Sequence, residues 1–442
     1  MAKSARKTVL LLLALSLSLF AFVGCSAKQD GNQQAADQPK ADQPKADQPK
    51  ADDNRTIKVG FPAPLSGTQA GVGSDMEKGI TLAMEEINAA GGVLGHKLEL
   101  IKGDVEGQEP STVTTVVRRL ITKDKVDIMV TGYANPSLVE MELMQQNKMP
   151  YILYGYAQAQ EAAVPKNPEK YSYIHNAIPS YKNYQTKFPE IVAQLEKDGK
   201  FKPENHKVAV IKSQNAYSLY CGDGMKDTFK QLGWDVVVDE TIPFTRFTEF
   251  EPILNKIREQ KPAVILYTDH TAANAATFLT SFLQNPTPSL LFLQATPSYP
   301  DFQKIVNGKQ EGVIWDYAAS LLGDKAKEFN AKYEKRWNEK PNPYGGFVYD
   351  AMMLAADAMK KSGDPFNKEA VNNILNGADY SYQGVIGTYK FDPRTHLALS
   401  GEGGIPFVTY QEEGGQHVVI DPSDLATGQF KLPPWYEAAL KK

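Results

Sequence analysis

Two α/β lobes, each a parallel sheet covered by helices on both faces, are predicted by three observations. The chain has 442 residues, more than one hydrophobic core usually organises. From Ile57 onward, short apolar strands alternate with helices that carry one apolar face. At Val208 a second series of the same kind begins.

The first strand, IKVGFPAPLSG, starts at Ile57 and runs into a Pro and Gly loop. A helix is predicted to start at Ser74, because Glu77 three residues on completes a capping box that satisfies two free backbone donors. Ile80, Ala83, Met84 and Ile87 make its buried face, and Gly91 and Gly92 end it. Next come the strand in VLGHKLELIKGD, a helix with Val113, Val116, Val117, Leu120 and Ile121 on one face, and the strand VDIMV. This alternation implies a parallel sheet buried on both faces. The second series reads strand VAVIKS, helix GMKDTFKQLG, strand DVVVDETI, helix EFEPILNKIREQ, strand AVILYT, helix NAATFLTSFLQ and strand SLLFLQ. GWDVVV reads as a turn followed by a buried strand. Farther on, Phe329, Tyr333 and Trp337 point inward from a solvated helix, and GFVYDAMMLAADAM is a core helix with Tyr349 and Asp350 near its start. PFVTYQEEGGQHVVI reads as a hairpin turned at Gly414 and Gly415.

The N-terminus is of a different kind. Lys3, Arg6 and Lys7 precede an apolar run from Val9 to Val23, which reads as a secretory signal over residues 1–24. At about 15 residues the run is short for a membrane-spanning helix. It ends in FVGC, which resembles a lipobox with Cys25 as the lipidated residue; cleavage of a plain secretory signal nearby is the other reading. Residues 25–55 then hold the unit ADQPK three times and almost no large apolar side chain. Such a stretch buries too little surface to offset the entropy of ordering, so it is expected to be a disordered tether. Pro39, Pro44 and Pro49 bias it to an extended path of about 3.1 Å per residue, a reach approaching roughly 90 Å.

Several function classes are excluded on this reading. With a formal charge of −4 and no arginine-rich run or zinc-finger spacing, nothing draws the chain to nucleic acid. The six histidines lack metal spacing, so neither a metal nor any cofactor is expected. No nucleophile elbow, phosphate loop or paired histidines with a nearby acid mark an enzyme. If Cys25 carries lipid, Cys221 has no partner and is expected to be a small buried hydrophobe rather than a reactive thiol.

The run IKVGFPAPLSGTQAGVGSDMEKGITLAMEEINAAGGVLGHKLELIKGD resembles the opening of the branched-chain amino acid (leucine/isoleucine/valine) type of periplasmic binding protein. RRLITKDKVDIMVTG, TRFTEFEPILNKIREQKPAVILY and PYGGFVYDAMMLAADAMKKSG keep the family's order, so the resemblance covers nearly everything from Ile57 onward. It implies the type I fold: two doubly wound lobes joined by three crossovers, placed near Pro179, Trp315 and Tyr389. The first lobe is then 56–178 with 317–388, and the second 179–316 with 389–442. It also implies a small-molecule ligand, a branched-chain amino acid or a related amide or aromatic compound, captured by closure, an ABC permease and ATPase as partners, a monomer, and a location outside the cytoplasm on a lipid anchor. A ligand-sensing protein acting through a membrane receptor would use the same lobes.

Family members hold an amino acid's carboxylate with amides and hydroxyls of two first-lobe loops, and its ammonium with an acid of the far lobe. By that resemblance Ser137 falls next to the family's serine, with Tyr133 and Asn135 in the same loop. In the next loop, Gly155, Tyr156 and Ala157, the family's threonine falls on Ala157 or Gln158, which have no hydroxyl. Thr296 stands where the acid is expected, with Asp269 as a substitute, and Tyr217 aligns with a tyrosine that packs on ligand. Tyr349 completes the candidate set. Tyr133, Tyr154, Tyr156, Tyr217, Tyr267 and Tyr299 lie at or beside strand ends, which favours an aromatic, amide or otherwise neutral solute over leucine. The tether is expected to separate rather than to bind. Deleting two of its three repeats should leave solute affinity in solution unchanged by calorimetry, and a shifted affinity would place the repeat in the binding domain.

Overall fold

The computed structural model describes residues 55–107, 109–132, 139–319 and 321–441. Cys25 and the repeat lie outside them. The first half alternates as expected: β1 (Ile57–Ala63), α1 (Ala70–Ala89), β2 (Leu98–Asp104), α2 (Pro110–Thr122), β3 (Ile128–Gly132), α3 (Val139–Gln146), β4 (Tyr151–Tyr154), α4 (Ala157–Ala163) and β5 (Ile174–Pro179). The second series follows: α5 (Asn183–Lys197), β6 (Lys207–Ser213), α6 (Ala216–Gln231), β7 (Asp235–Ile242), α7 (Glu251–Gln260), β8 (Val264–Tyr267), α8 (Ala272–Phe282), β9 (Leu290–Leu293), α9 (Pro300–Val306) and β10 (Ile314–Tyr317).

Alternate residues of β3, β4, β6, β8 and β9 go to separate cores, as a parallel sheet with helices on both faces requires. In β3, Ile128 and Val130 enter one core while Met129 enters the other. In β8, Val264 and Leu266 face one helical layer and Ile265 and Tyr267 the opposite one. The edge strand β7 departs from the expected buried strand: Asp235 and Glu240 sit on a half-exposed ribbon paired only with β6.

The chain then returns to the first lobe with α10 (Asp324–Trp337), α11 (Pro343–Ser362) and α12 (Lys368–Leu375). A short hairpin follows, β11 (Tyr382–Gln383) with β12 (Thr388–Tyr389), and then β13 (Leu397–Ala398). β14 (Val408–Glu413), β15 (Gln416–Asp421) and α13 (Pro434–Leu440) end the chain in the second lobe. The first sheet has the order β13-β5-β4-β3-β1-β2 and the second β15-β14-β10-β9-β8-β6-β7. The lobes are joined by three crossovers, after Pro179, after Tyr317 and between Ala398 and Val408. The third lies later than the Tyr389 expected from sequence. β13 still belongs to the first sheet, where it runs parallel to β5 with Leu397 opposite Asn176. A two-residue strand is too short to carry a readable period of two. The hairpin at Gly414 and Gly415 forms as expected, both glycines having positive φ.

Helix α1 starts four residues before Ser74, because its first turn presses on the β1 loop. A Cβ at Gly73 would lie 1.9 Å from the Pro64 carbonyl oxygen, a space only glycine leaves open. Farther along, α1 crosses α11 so closely that a Cβ at Gly79 would meet the Gly345 carbonyl oxygen at 2.1 Å. This crossing fixes where α11 begins, and hence where Tyr344 points. Gly79→Val should therefore cost about 1–3 kcal/mol of stability by urea unfolding, the usual range for overpacking. An unchanged midpoint would mean that the two helices do not touch there.

Candidate ligand-binding cleft

Ligand sites of open parallel sheets form beyond the carboxyl ends of the strands. Here those ends from both lobes enclose a cavity of about 380 Å³. The first lobe supplies Glu106 and Glu109 after β2, and Tyr154, Tyr156 and Gln158 at and after β4. The second supplies Tyr217 after β6, Phe244 after β7, His270 after β8 and Tyr299 after β9. Tyr181 follows the first crossover, Tyr317 precedes the second, and Tyr344 opens α11. A second chamber of about 340 Å³ shares Gln69, Phe244, His270, Tyr299 and Tyr344 with the first.

The tyrosines are tied by their hydroxyls. Tyr154 and Tyr317 share a hydrogen bond of 2.5 Å, and Tyr184 accepts from the Ala318 amide at 2.9 Å. Tyr299 of the second lobe and Tyr344 of the first meet at 2.9 Å, beside a bond from the Asn342 amide group to the Ser298 carbonyl. The Gln294 side chain donates both to the Tyr217 hydroxyl at 2.9 Å and to Asp316 at 3.0 Å. Rings meet edge to face: Tyr217 lies 5.3 Å from both Tyr181 and His270. Such pairs are favourable and hold ring orientation. Burial pushes the Tyr217 hydroxyl, the Cys221 thiol and the Asp316 carboxyl well above their ordinary ranges, so the hydroxyl and the thiol stay protonated near neutral pH. Cys221 is the buried free cysteine expected.

The expected site residues divide sharply. Tyr156 and Tyr217 line the cavity; Tyr133, Asn135 and Ser137 lie outside the described residues. Gly155 and Ala157 are buried beneath it, and the Gly155 carbonyl accepts from Asn176 at 2.7 Å. Asp269 is fully buried and accepts from Tyr267, Thr271 and Asn274, so it is committed to its own loop rather than to the cleft. Thr296 is fully buried in a single 3-10 turn, and its neighbour Ala295 reaches the cavity instead. Tyr349 is corrected as well. Five residues past Tyr344, well over one helical turn on, it faces away, donating to Glu86 at 3.3 Å and packing on Phe329. Tyr267 stacks on Phe278 inside the second lobe.

Sequence reasoning missed Glu106, Glu109, Tyr181, Phe244 and Tyr317. All of them sit at or after carboxyl ends of strands β2, β5, β7 and β10, which the expected site does not include. Tyr344 gave no such signal, since it arrives on a helix N-terminus. Among the described residues no cluster of potential metal ligands occurs and no helix is long and apolar enough to cross a membrane.

The model of the periplasmic binding protein family matches residues 56–411. The chain belongs to that family. A Leu/Ile/Val-binding protein homolog 7 of Brucella suis biovar 1 is 24% identical over 403 residues, 85% of this chain and 94% of that protein. Among solved structures, a Silicibacter pomeroyi protein assigned to a branched-chain amino acid ABC transporter matches with a TM-score of 0.79 and 26% identity. The match covers 86% of this chain and all of that one. A solute-binding protein of Rhodopseudomonas palustris HaA2 in complex with p-hydroxybenzoic acid matches at 0.66 and 20% identity, over 87% and 100%. The last is a likeness of fold.

In this periplasmic binding protein the segment leading to the third crossover hangs on one carboxyl group. Asp350 accepts from the Val385 amide at 2.7 Å, the Ile386 amide at 2.9 Å and the Tyr389 hydroxyl at 2.9 Å. Burial pushes its pKa up to about 7, although these hydrogen bonds pull the other way. The folded state thus keeps a proton that the unfolded chain has lost, and this site's contribution to stability falls as pH rises from about 4 to about 7. Asp350→Asn should remove that part of the slope, up to about 1.4 kcal/mol per pH unit, in urea melts taken between pH 4 and 8. A slope untouched by the substitution would assign the dependence to other groups.

Proposed function

We propose that the protein is the extracytoplasmic solute receptor of an ABC importer, anchored by lipid on Cys25, and that it closes on a small solute with an aromatic or otherwise flat apolar body. The observation that carries this reading is the cavity of about 380 Å³ walled by tyrosines from both lobes. A solute touching both walls binds the closed state better than the open one and so draws the lobes together. The permease then has a closed surface to recognise.

The reading favours a solute other than leucine. Thr296 stands in place of an acid, Gln158 or Ala157 in place of a hydroxyl, and Asp269 is tied to its own loop. Ring faces replace those groups. They offer apolar area with a hydroxyl at the edge, the usual makeup of a site for a flat organic molecule.

Native mass spectrometry of the purified protein should show a bound small molecule, and calorimetry should show Tyr217→Ala binding it at least about tenfold more weakly, a loss near 1.4 kcal/mol. Leucine should give no comparable heat. Micromolar leucine binding would overturn the aromatic solute, and protein that carries and binds no solute would overturn the receptor itself.

A further inference from the structure

The charged side chains that line the main cavity are all of one sign. Of the residues lining the main cavity, Glu106 and Glu109 are acidic, while no lysine or arginine contributes. The second chamber is balanced, with Asp75, Asp301 and Glu339 against Lys78, Lys304 and Lys340.

Two polar groups in the cavity wall are uncommitted, one on each lobe. Gln158 Oε1 of the first lobe and His270 Nδ1 of the second are buried and have no hydrogen-bond partner among the described residues. His270 is wedged between Tyr217 and Phe244, with ring centroids at 5.3 and 5.2 Å. Burial lowers its pKa, against the pull of Asp269, so at neutral pH the ring offers a neutral hydrogen-bonding edge and no positive charge. Buried polar atoms left unpaired are costly, and a solute that pairs with both gains that cost back across the two lobes.

We propose that the solute is an organic cation, an amine or quaternary ammonium carried on the flat apolar body, with Glu106 and Glu109 facing its charge and Gln158 and His270 reading its polar edge. The inference rests on the receptor reading above. Tyrosine faces attract cations through the ring quadrupole, and the two carboxylates supply the counter-charge. An anion would meet the opposite field. A carboxylate desolvated among tyrosine faces, near two glutamates and without a basic partner, would be poorly compensated.

The test uses the full protein freed of copurified solute. Tyramine, benzylamine and choline are titrated calorimetrically beside 4-hydroxybenzoate, benzoate and leucine, in low and in high salt. At least one of the three cations should bind, at least about tenfold more tightly than any of the other three compounds, and should weaken as salt rises. Glu106→Gln with Glu109→Gln should weaken that cation about tenfold. Both side chains are exposed, so the double variant should keep its melting temperature. His270→Ala should weaken the cation further, whereas a variant in the second chamber, Lys340→Ala, should not. No binding by any of the three cations, or cation affinity indifferent to the two glutamates, overturns the proposal. Tighter binding of a carboxylate overturns it too, yet leaves the receptor reading standing, because the cleft would still capture a solute.

Discussion

The structure depends on one constraint: strands of a parallel sheet buried on both faces have no solvent-facing side chains to spare. In β3, β4, β6, β8 and β9 successive residues drop alternately into two separate apolar layers. Polar chemistry is therefore confined to the strand ends. Since all strands of a parallel run end on the same side, each lobe gathers its loops at one edge. Three crossovers then set the two edges face to face. The cleft is a consequence of that geometry rather than a separate feature.

The fold was legible because its signal is spread over many residues. Periodicity placed the strands and helices, and a run such as Ile80, Ala83, Met84 and Ile87 tolerates a misplaced boundary. Where the signal was short it failed. The start of α1 shifted because backbone approach at Gly73, a tertiary fact, outweighed the local capping pattern at Ser74 and Glu77. The third crossover shifted because β13 has two residues and is recognised only by its pairing with β5.

The site was legible in kind but not in detail. That strand ends would converge and that tyrosine would dominate could be read from residues, as Tyr156 and Tyr217 illustrate. Which way a side chain points could not. Tyr344 and Tyr349 stand five residues apart on α11, and the turn of the helix sends the first into the cleft and the second toward Glu86. Asp269 had the right chemistry and position along the chain, yet Tyr267, Thr271 and Asn274 consume its lone pairs. The acids that do reach the cavity come from the opposite lobe, where correspondence with the resembling family offered no counterpart.

Hydrogen bonds that cross between the lobes bear on how closure is controlled. The Tyr299 to Tyr344 hydroxyl contact and the Asn342 to Ser298 bond both cross between lobes at the cavity's edge. Each is worth about 1 kcal/mol net in partly wet surroundings, so together they supply about 2 kcal/mol. Moving a two-state equilibrium from 1:99 to 99:1 takes about 5.5 kcal/mol. Protein contacts of this size cannot drive such a shift alone, so a solute must supply it by binding the closed state better. Ring faces and hydrogen bonds drawn from opposite walls contribute to that preference. Tyrosine suits the task because the same residue gives its face to the cavity and its hydroxyl to the neighbouring lobe. The bonds that position the wall are then also the bonds that bias it toward closing.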